Sequence, residues 1–159
     1  MNQVRSYGCD LIELTGGEPL EQDAVYPLMK MLCDQGFEVM IETGGHVDIG
    51  RVDSRVKRIV DLKTPSSAMV KKNYYKNIEY LQPSDEVKFV IGSREDYDWS
   101  KEQIEFFKLA EKVGTILMSP VTDVLLAKDL AQWILEDKLP VRFQVQLHKI
   151  IWPGVERGV

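Results

Sequence analysis

Six runs rich in Val, Ile and Phe, at 9–15, 37–43, 58–63, 86–91, 115–119 and 141–148, recur along the chain, and the charges inside them constrain the fold most. Segments of helical spacing lie between most of them. Val25, Leu28, Met29 and Leu32 precede Gly36; Phe106, Leu109, Ala110 and Val113 precede Gly114; Leu126, Leu130, Trp133 and Ile134 form a third stripe. Strands that alternate with helices at intervals of about 20 to 30 residues predict βαβ units and a parallel sheet. A parallel strand covered on both faces is almost continuously apolar. These runs are not. In the last, Val141, Phe143, Val145 and Leu147 fall on one face, and Arg142, Gln144, Gln146 and His148 on the other. The same period of two sets Glu13 with Thr15 and Asp61 with Lys63, and puts Glu42 and Lys88 on the polar side.

If such a sheet curls into a barrel or half barrel with helices outside, the polar set lines an interior that an ordinary β/α barrel fills with Val, Ile and Leu. Glu13, Glu42 and Asp61 face Lys63, Lys88 and Arg142 there, three charges of each sign. That lumen is expensive unless it holds water or a polar ligand. The plainer alternative is a sheet with one solvated face, or internal ion pairs that do no chemistry. Two local expectations accompany this reading. Pro27 is expected to kink or replace the first turn of its helix, and residues 2–8 read as the tail of a helix whose start is absent.

A length of 159 residues predicts one domain over 1–159. The net charge of −5, without a long block of either sign, argues against a nucleic-acid partner. Lys71-Lys72-Asn73-Tyr74-Tyr75-Lys76 mixes bases with aromatics, but in an acidic chain it reads as a solvated loop. The longest uncharged stretch, Val113 to Thr122, falls far short of a bilayer span, and no secretory leader follows Met1, so the expectation is a cytoplasmic protein with no membrane partner. Cys9 and Cys33 match no CxxC-type metal pattern and read as two buried small residues. The apolar Ile150-Ile151-Trp152 after the last strand is expected to plug a barrel end.

Chemistry enters at Leu14-Thr15-Gly16-Gly17-Glu18-Pro19-Leu20, where the first strand ends. Two glycines after a strand let a ligand approach the backbone, and Glu18 offers an acceptor for an ammonium group. A strand ending in Thr-Gly-Gly-Glu-Pro resembles the turn of the radical S-adenosylmethionine enzymes that binds the cofactor's methionyl amino group. Ile41-Glu42-Thr43-Gly44-Gly45, Asp61-Leu62-Lys63-Thr64-Pro65-Ser66-Ser67, Asp85-Glu86-Val87-Lys88-Phe89-Val90, Ser119-Pro120-Val121 and the closing Gln144-Val145-Gln146-Leu147-His148-Lys149 come after it in order. Together they resemble the 7-carboxy-7-deazaguanine synthase family over essentially the whole chain.

The resemblance implies a partial, parallel β/α (TIM-type) barrel. In it the complete enzyme, a carbon–nitrogen lyase of queuosine biosynthesis, converts 6-carboxy-5,6,7,8-tetrahydropterin to 7-carboxy-7-deazaguanine. It also implies S-adenosylmethionine, a 4Fe-4S cluster and Mg2+ as cofactors, and an external electron donor. Residue by residue, Gly17 and Glu18 would hold the methionine part of the cofactor, Lys63, Ser66 and Ser67 would face it, and Ser119 would line its adenosine side. Thr15 and His148 would contact the pterin substrate. Gly44 departs from the family's usual Asn and is expected to loosen its turn. The larger departure is the absence of the first strand and of the CxxxCxxC loop that binds the cluster; Cys9 and Cys33 do not replace it. The chain therefore reads as a start-truncated member, inactive alone, and as a homo-oligomer through the sheet edge left open beside the first run. Two rivals stand: a glycyl-radical activase of the same superfamily, and a non-catalytic binding domain that kept the fold after losing its cluster.

Overall fold

A computed structural model describes residues 2–152 and 154; the side chains of Asn2 and His148 lie outside the described residues. The elements in chain order are α1 (Asn2–Ser6), β1 (Leu11–Leu14), α2 (Val25–Asp34), β2 (Glu38–Thr43), β3 (Lys57–Asp61), β4 (Glu86–Ile91), α3 (Arg94–Phe106), α4 (Leu109–Lys112), β5 (Thr115–Pro120), α5 (Ala127–Glu136), β6 (Arg142–Phe143) and α6 (Leu147–Ile151). All five pairings are parallel, and the strand order β1-β2-β3-β4-β5-β6 follows the chain. No backbone pairing joins β1 to β6 among the described residues, yet Glu13 of β1 and Arg142 of β6 line the same cavity. The sheet is therefore curled and open: a partial β/α barrel, as the family resemblance implied.

Helices cross over between β1 and β2, β4 and β5, and β5 and β6. The β2–β3 connection is a single 3-10 turn (Ile49–Arg51), and β3–β4 runs through three (Pro65–Ser67, Val70–Lys72, Tyr75–Glu79). Two apolar clusters pack the outer face. Met29 and Leu32 of α2 meet Val39, Ile41 and Val60; Tyr97, Ile104, Leu109 and Leu130 of α3 to α5 meet Val87, Phe89, Ile91 and Met118. Tyr97 is fully buried, and its hydroxyl donates to the Trp133 carbonyl and to Asp137 Oδ2, both at 2.9 Å, which joins α3 to α5. Among the described residues no helix is long and apolar enough to cross a membrane.

Several expectations need correction. The last run is a strand only over Arg142–Phe143, and Leu147, Ile150 and Ile151 belong to a helix whose i, i+3, i+4 spacing overrides the alternation. His148 therefore sits on α6 and not on a strand. Leu147, Ile150, Ile151 and Trp152 are exposed and do not plug the barrel, because α6 runs over the surface. The stripe from Phe106 to Val113 spans a break: Lys108 adopts φ +51°, which separates α4 from α3. Pro27 neither kinks nor replaces a turn; it lies third in α2, where its missing N–H needs no partner. Neither cysteine is buried. Cys9 is exposed and precedes β1, and Cys33 is half-buried on α2.

Candidate functional site

The polar face of the sheet forms the lumen. A cavity of about 300 Å³ is walled by Glu13, Glu42, Lys57, Glu86, Lys88, Arg142 and Gln144. Lys88 Nζ binds Glu42 at 2.5 Å, and Glu86 is shared by Lys57 at 2.8 Å and Arg142 at 3.2 Å. Lys57 and Glu86 stand in this lining in place of the anticipated Asp61 and Lys63, which line a neighbouring cavity at the end of β3, so the lumen holds three charges of each sign. Arg58, next to Lys57, points the other way into a buried ion pair with Asp85 at 2.6 Å.

Above the lumen, at the C-terminal ends of the strands, β1 ends in the Gly16-Gly17 turn. Both glycines hold positive φ (+93° and +58°), a conformation L side chains rarely adopt, and open space lies where their Cβ atoms would stand. A ligand can lie directly on this backbone. Glu18 comes next with its carboxylate already engaged. Oε1 caps the Pro19–Glu21 turn through the Leu20 N–H (3.1 Å), while Oε2 accepts from Thr43 Oγ1 and from the Gly44 N–H, both at 2.8 Å. His46 flanks it at 3.6 Å and reaches Glu21 at 3.3 Å. Since a carboxylate offers about four acceptor positions, Glu18 keeps capacity for a ligand while tying β1 to β2. The Gly44 N–H is one of the bonds that fix Glu18.

Gly45, the next residue, abuts the Asp61 carbonyl so closely that a Cβ would stand 2.7 Å from it. The end of β2 thus stands between the two sites, bonded to Glu18 through Gly44 and packed on the end of β3 through Gly45. Asp61 and Lys63 share a 2.6 Å ion pair, and burial pushes the Asp61 carboxyl up despite the lowering effect of Lys63. Asp61 Oδ1 is buried with no partner among the described residues. A cavity of about 420 Å³ opens here, lined by Asp61, Lys63, Thr64, Ser66, Ser67, Val90, Gly92, Val121 and Val124. The Ser67 hydroxyl donates to the Thr64 carbonyl (2.6 Å) and accepts from the Met69 N–H (3.2 Å), which shapes the loop. Asn73, which no sequence signal singled out, clamps the Lys63 backbone from both sides at 2.9 Å. Ser119 is buried on β5 opposite Val90, beside the cavity and outside its lining. Thr15 is exposed just above Glu13, at the lip of β1. The His148 side chain lies outside the described residues.

The polar lumen, open glycine turn and buried unpartnered acceptor suit a small ligand rich in donors and charge. No group of three or more His, Cys, Asp and Glu side chains that could hold an ion occurs among the described residues. Cys9 and Cys33 are too few for a three-thiolate cluster, so a cluster does not fit the residues present.

An open parallel β/α barrel whose strand ends and loops gather glycines and charged groups around a cavity is the architecture of a barrel enzyme that binds its ligands at the C-terminal face. No family model matches the chain. A protein of Chlorobaculum tepidum named 7-carboxy-7-deazaguanine synthase is 41% identical over 162 residues, covering 100% of this chain and 73% of that protein. Proteins of the same name from Koribacter versatilis (38% identical, 94% of this chain and 72% of the relative) and Clostridium acetobutylicum (33%, 100% and 74%) agree with it. The chain belongs to the 7-carboxy-7-deazaguanine synthase family.

Proposed function

We propose that this chain forms the ligand-binding body of a 7-carboxy-7-deazaguanine synthase, with S-adenosylmethionine across the Gly16-Gly17 turn and the cavity beside Asp61, and the pterin over the polar lumen. The observation that carries this reading is the buried, unpartnered Oδ1 of Asp61 beside the cavity at the end of β3, with the end of β2 joining that site to the open glycine turn, since Gly44 bonds Glu18 and Gly45 abuts Asp61. A ligand hydroxyl or amine gives that oxygen the donor it lacks. Synthase relatives that span the whole chain favour this reading over an activase or a non-catalytic domain.

When bound, S-adenosylmethionine supplies the hydrogen-abstracting chemistry. The chain's own residues position and shield. Backbone N–H groups at Gly16-Gly17 and the spare acceptor of Glu18 meet the zwitterionic end of the cofactor. Lys63, fixed by Asp61 and Asn73, faces the cavity with Ser66, while Ser67 and Ser119 shape its rim. Thr15 contacts the substrate at the mouth of the lumen, whose paired Glu42 and Lys88 present both hydrogen-bond polarities to a pterin, and His148 is assigned to the same substrate on the family resemblance alone. No step is routed through an iron–sulfur cluster, for which two cysteines are too few.

Titration calorimetry of the 159-residue chain with S-adenosylmethionine tests the proposal. Binding is expected, and Asp61→Ala should weaken it about tenfold or more, the loss associated with a charged hydrogen bond. Absence of binding by a folded chain, or equal binding by the variant, overturns the assignment.

A further inference from the structure

The wall of the cavity is held by a residue outside the motifs, Asp96. It is wholly buried in the first turn of α3. The sequence signal is Ser93-Arg94-Glu95-Asp96, a helix-start pattern in which the Ser93 side chain accepts from the Asp96 N–H at 3.1 Å. The Asp96 carboxylate does more than cap. Oδ1 accepts from the Ser66 N–H at 2.8 Å, and Oδ2 accepts from the Gly92 N–H at 2.8 Å and from the Ser66 hydroxyl. Burial alone would raise its pKa, but these donors hold the carboxyl below its ordinary value, so it is an acceptor-only anion at neutral pH. Gly92 completes the joint. A Cβ there would stand 2.9 Å from Ser66 Oγ and 3.3 Å from Asp96 Oδ2, so any side chain would push the loop away.

We infer that Asp96 is a positioning residue that sets the hydrogen-bond polarity of the cavity. A hydroxyl has one proton, and Ser66 commits its proton to Asp96. What Ser66 Oγ presents to the cavity is therefore lone pairs alone. With its proton so committed, Ser66 gives the cavity wall an acceptor that selects a ligand offering donors, as ribose hydroxyls and an adenine amine do. Asp96 touches no ligand; it acts through Ser66 and through the Gly92 turn. This rests on the proposal that the cavity takes the nucleoside part of S-adenosylmethionine.

Two measurements on the intact chain separate that proposal from this inference. The first needs no ligand: hydrogen exchange of the Ser66 and Gly92 amides. In Asp96→Asn, where an amide replaces one acceptor oxygen, exchange at these two positions should accelerate at least tenfold while β4 and β5 amides keep their rates. Unchanged protection overturns the inference even if no nucleoside binds. The second is calorimetry with S-adenosylhomocysteine, its 2′-deoxy and 3′-deoxy forms, and its N6,N6-dimethyl form. The wild-type chain should bind at least one analogue tenfold or more weakly than the parent. Asp96→Asn, which lets Ser66 accept from the amide and turn its proton into the cavity, should compress that ratio to twofold or less. Ser66→Ala should give the same compression, and the double variant should add nothing to it. Parallel weakening of every ligand by Asp96→Asn, with the ratio preserved, marks a merely structural carboxylate and overturns the inference. Failure of all ligands to bind the wild type, with exchange behaving as expected, removes the nucleoside assignment and leaves the positioning role.

Discussion

At the scale of single residues, three buried aspartates do three different things. Asp85 neutralises Arg58 outside the lumen, with both side chains almost wholly buried, and also accepts from the Arg58 and Gln82 backbone N–H groups. Arg58→Met leaves that carboxylate uncompensated and is expected to cost about 3 to 5 kcal/mol in urea unfolding; Asp85→Asn added to it should recover part of the loss. Asp96 and Asp61 are shifted in opposite directions, so their contributions depend on pH with opposite sign. The folded pKa of Asp96 is depressed, so its stabilisation is present above the unfolded value of about 3.9 and is lost as pH falls through the folded value. The folded pKa of Asp61 is raised, so its favourable contribution is present below the unfolded value and is lost as pH rises through the folded one. Urea titrations at acid and neutral pH should show Asp96→Asn losing more stability at neutral pH than at acid pH. Asp61→Asn should be relatively more stable than wild type at neutral pH. Shifts in the same direction for both would contradict the assignment. Legibility at this scale divides by mechanism. Glu42, Asp61, Lys63, Lys88 and Arg142 were readable because strand alternation fixes the face a side chain occupies. Glu86, two residues before Lys88, falls on the same face by that period, whereas Lys57 opens β3 one residue ahead of the apolar run that begins at 58. Asn73 bonds to a backbone ten residues away, which no local pattern encodes.

At the scale of elements, the period of two found every strand and then ran too far in the last one. Past Phe143 the alternation of Gln144, Val145 and Gln146 continues in a segment without ladder bonds, and the helical spacing of Leu147, Ile150 and Ile151 turns the chain into α6. Helix α3 was hidden for the opposite reason. It buries Tyr97, Ser100 and Ile104 beneath a charged surface too polar to announce an apolar stripe. The edge strand carries the testable consequence. Among the described residues β1 pairs with β2 alone, Leu11 is exposed, and residues 9–14 contain no Pro or Lys to blunt the edge. The chain is expected to self-associate there, giving a mass above 18.2 kDa that falls on dilution when size exclusion is coupled to light scattering. Leu11→Lys should shift the equilibrium toward monomer. A strictly monomeric wild type at every concentration would show that the edge is covered.

At the scale of the whole molecule, ligand binding and cluster chemistry come apart. The chain holds two cysteines, neither placed to complete a three-thiolate site, so anaerobic treatment with iron and sulfide is expected to give no stoichiometric cluster spectrum and no 5′-deoxyadenosine. Appearance of either signal would refute this. Binding of S-adenosylmethionine should be the same before and after that treatment, because the turn and cavity proposed to receive it belong to other residues. The strand order has a bearing on how the protein comes into being. Each strand pairs with its immediate predecessor, so every pairing closes a loop of only about 15 to 30 residues and none waits for a distant segment. A chain emerging from the ribosome can lay down its sheet in the order of synthesis, each new strand finding a finished template beside it.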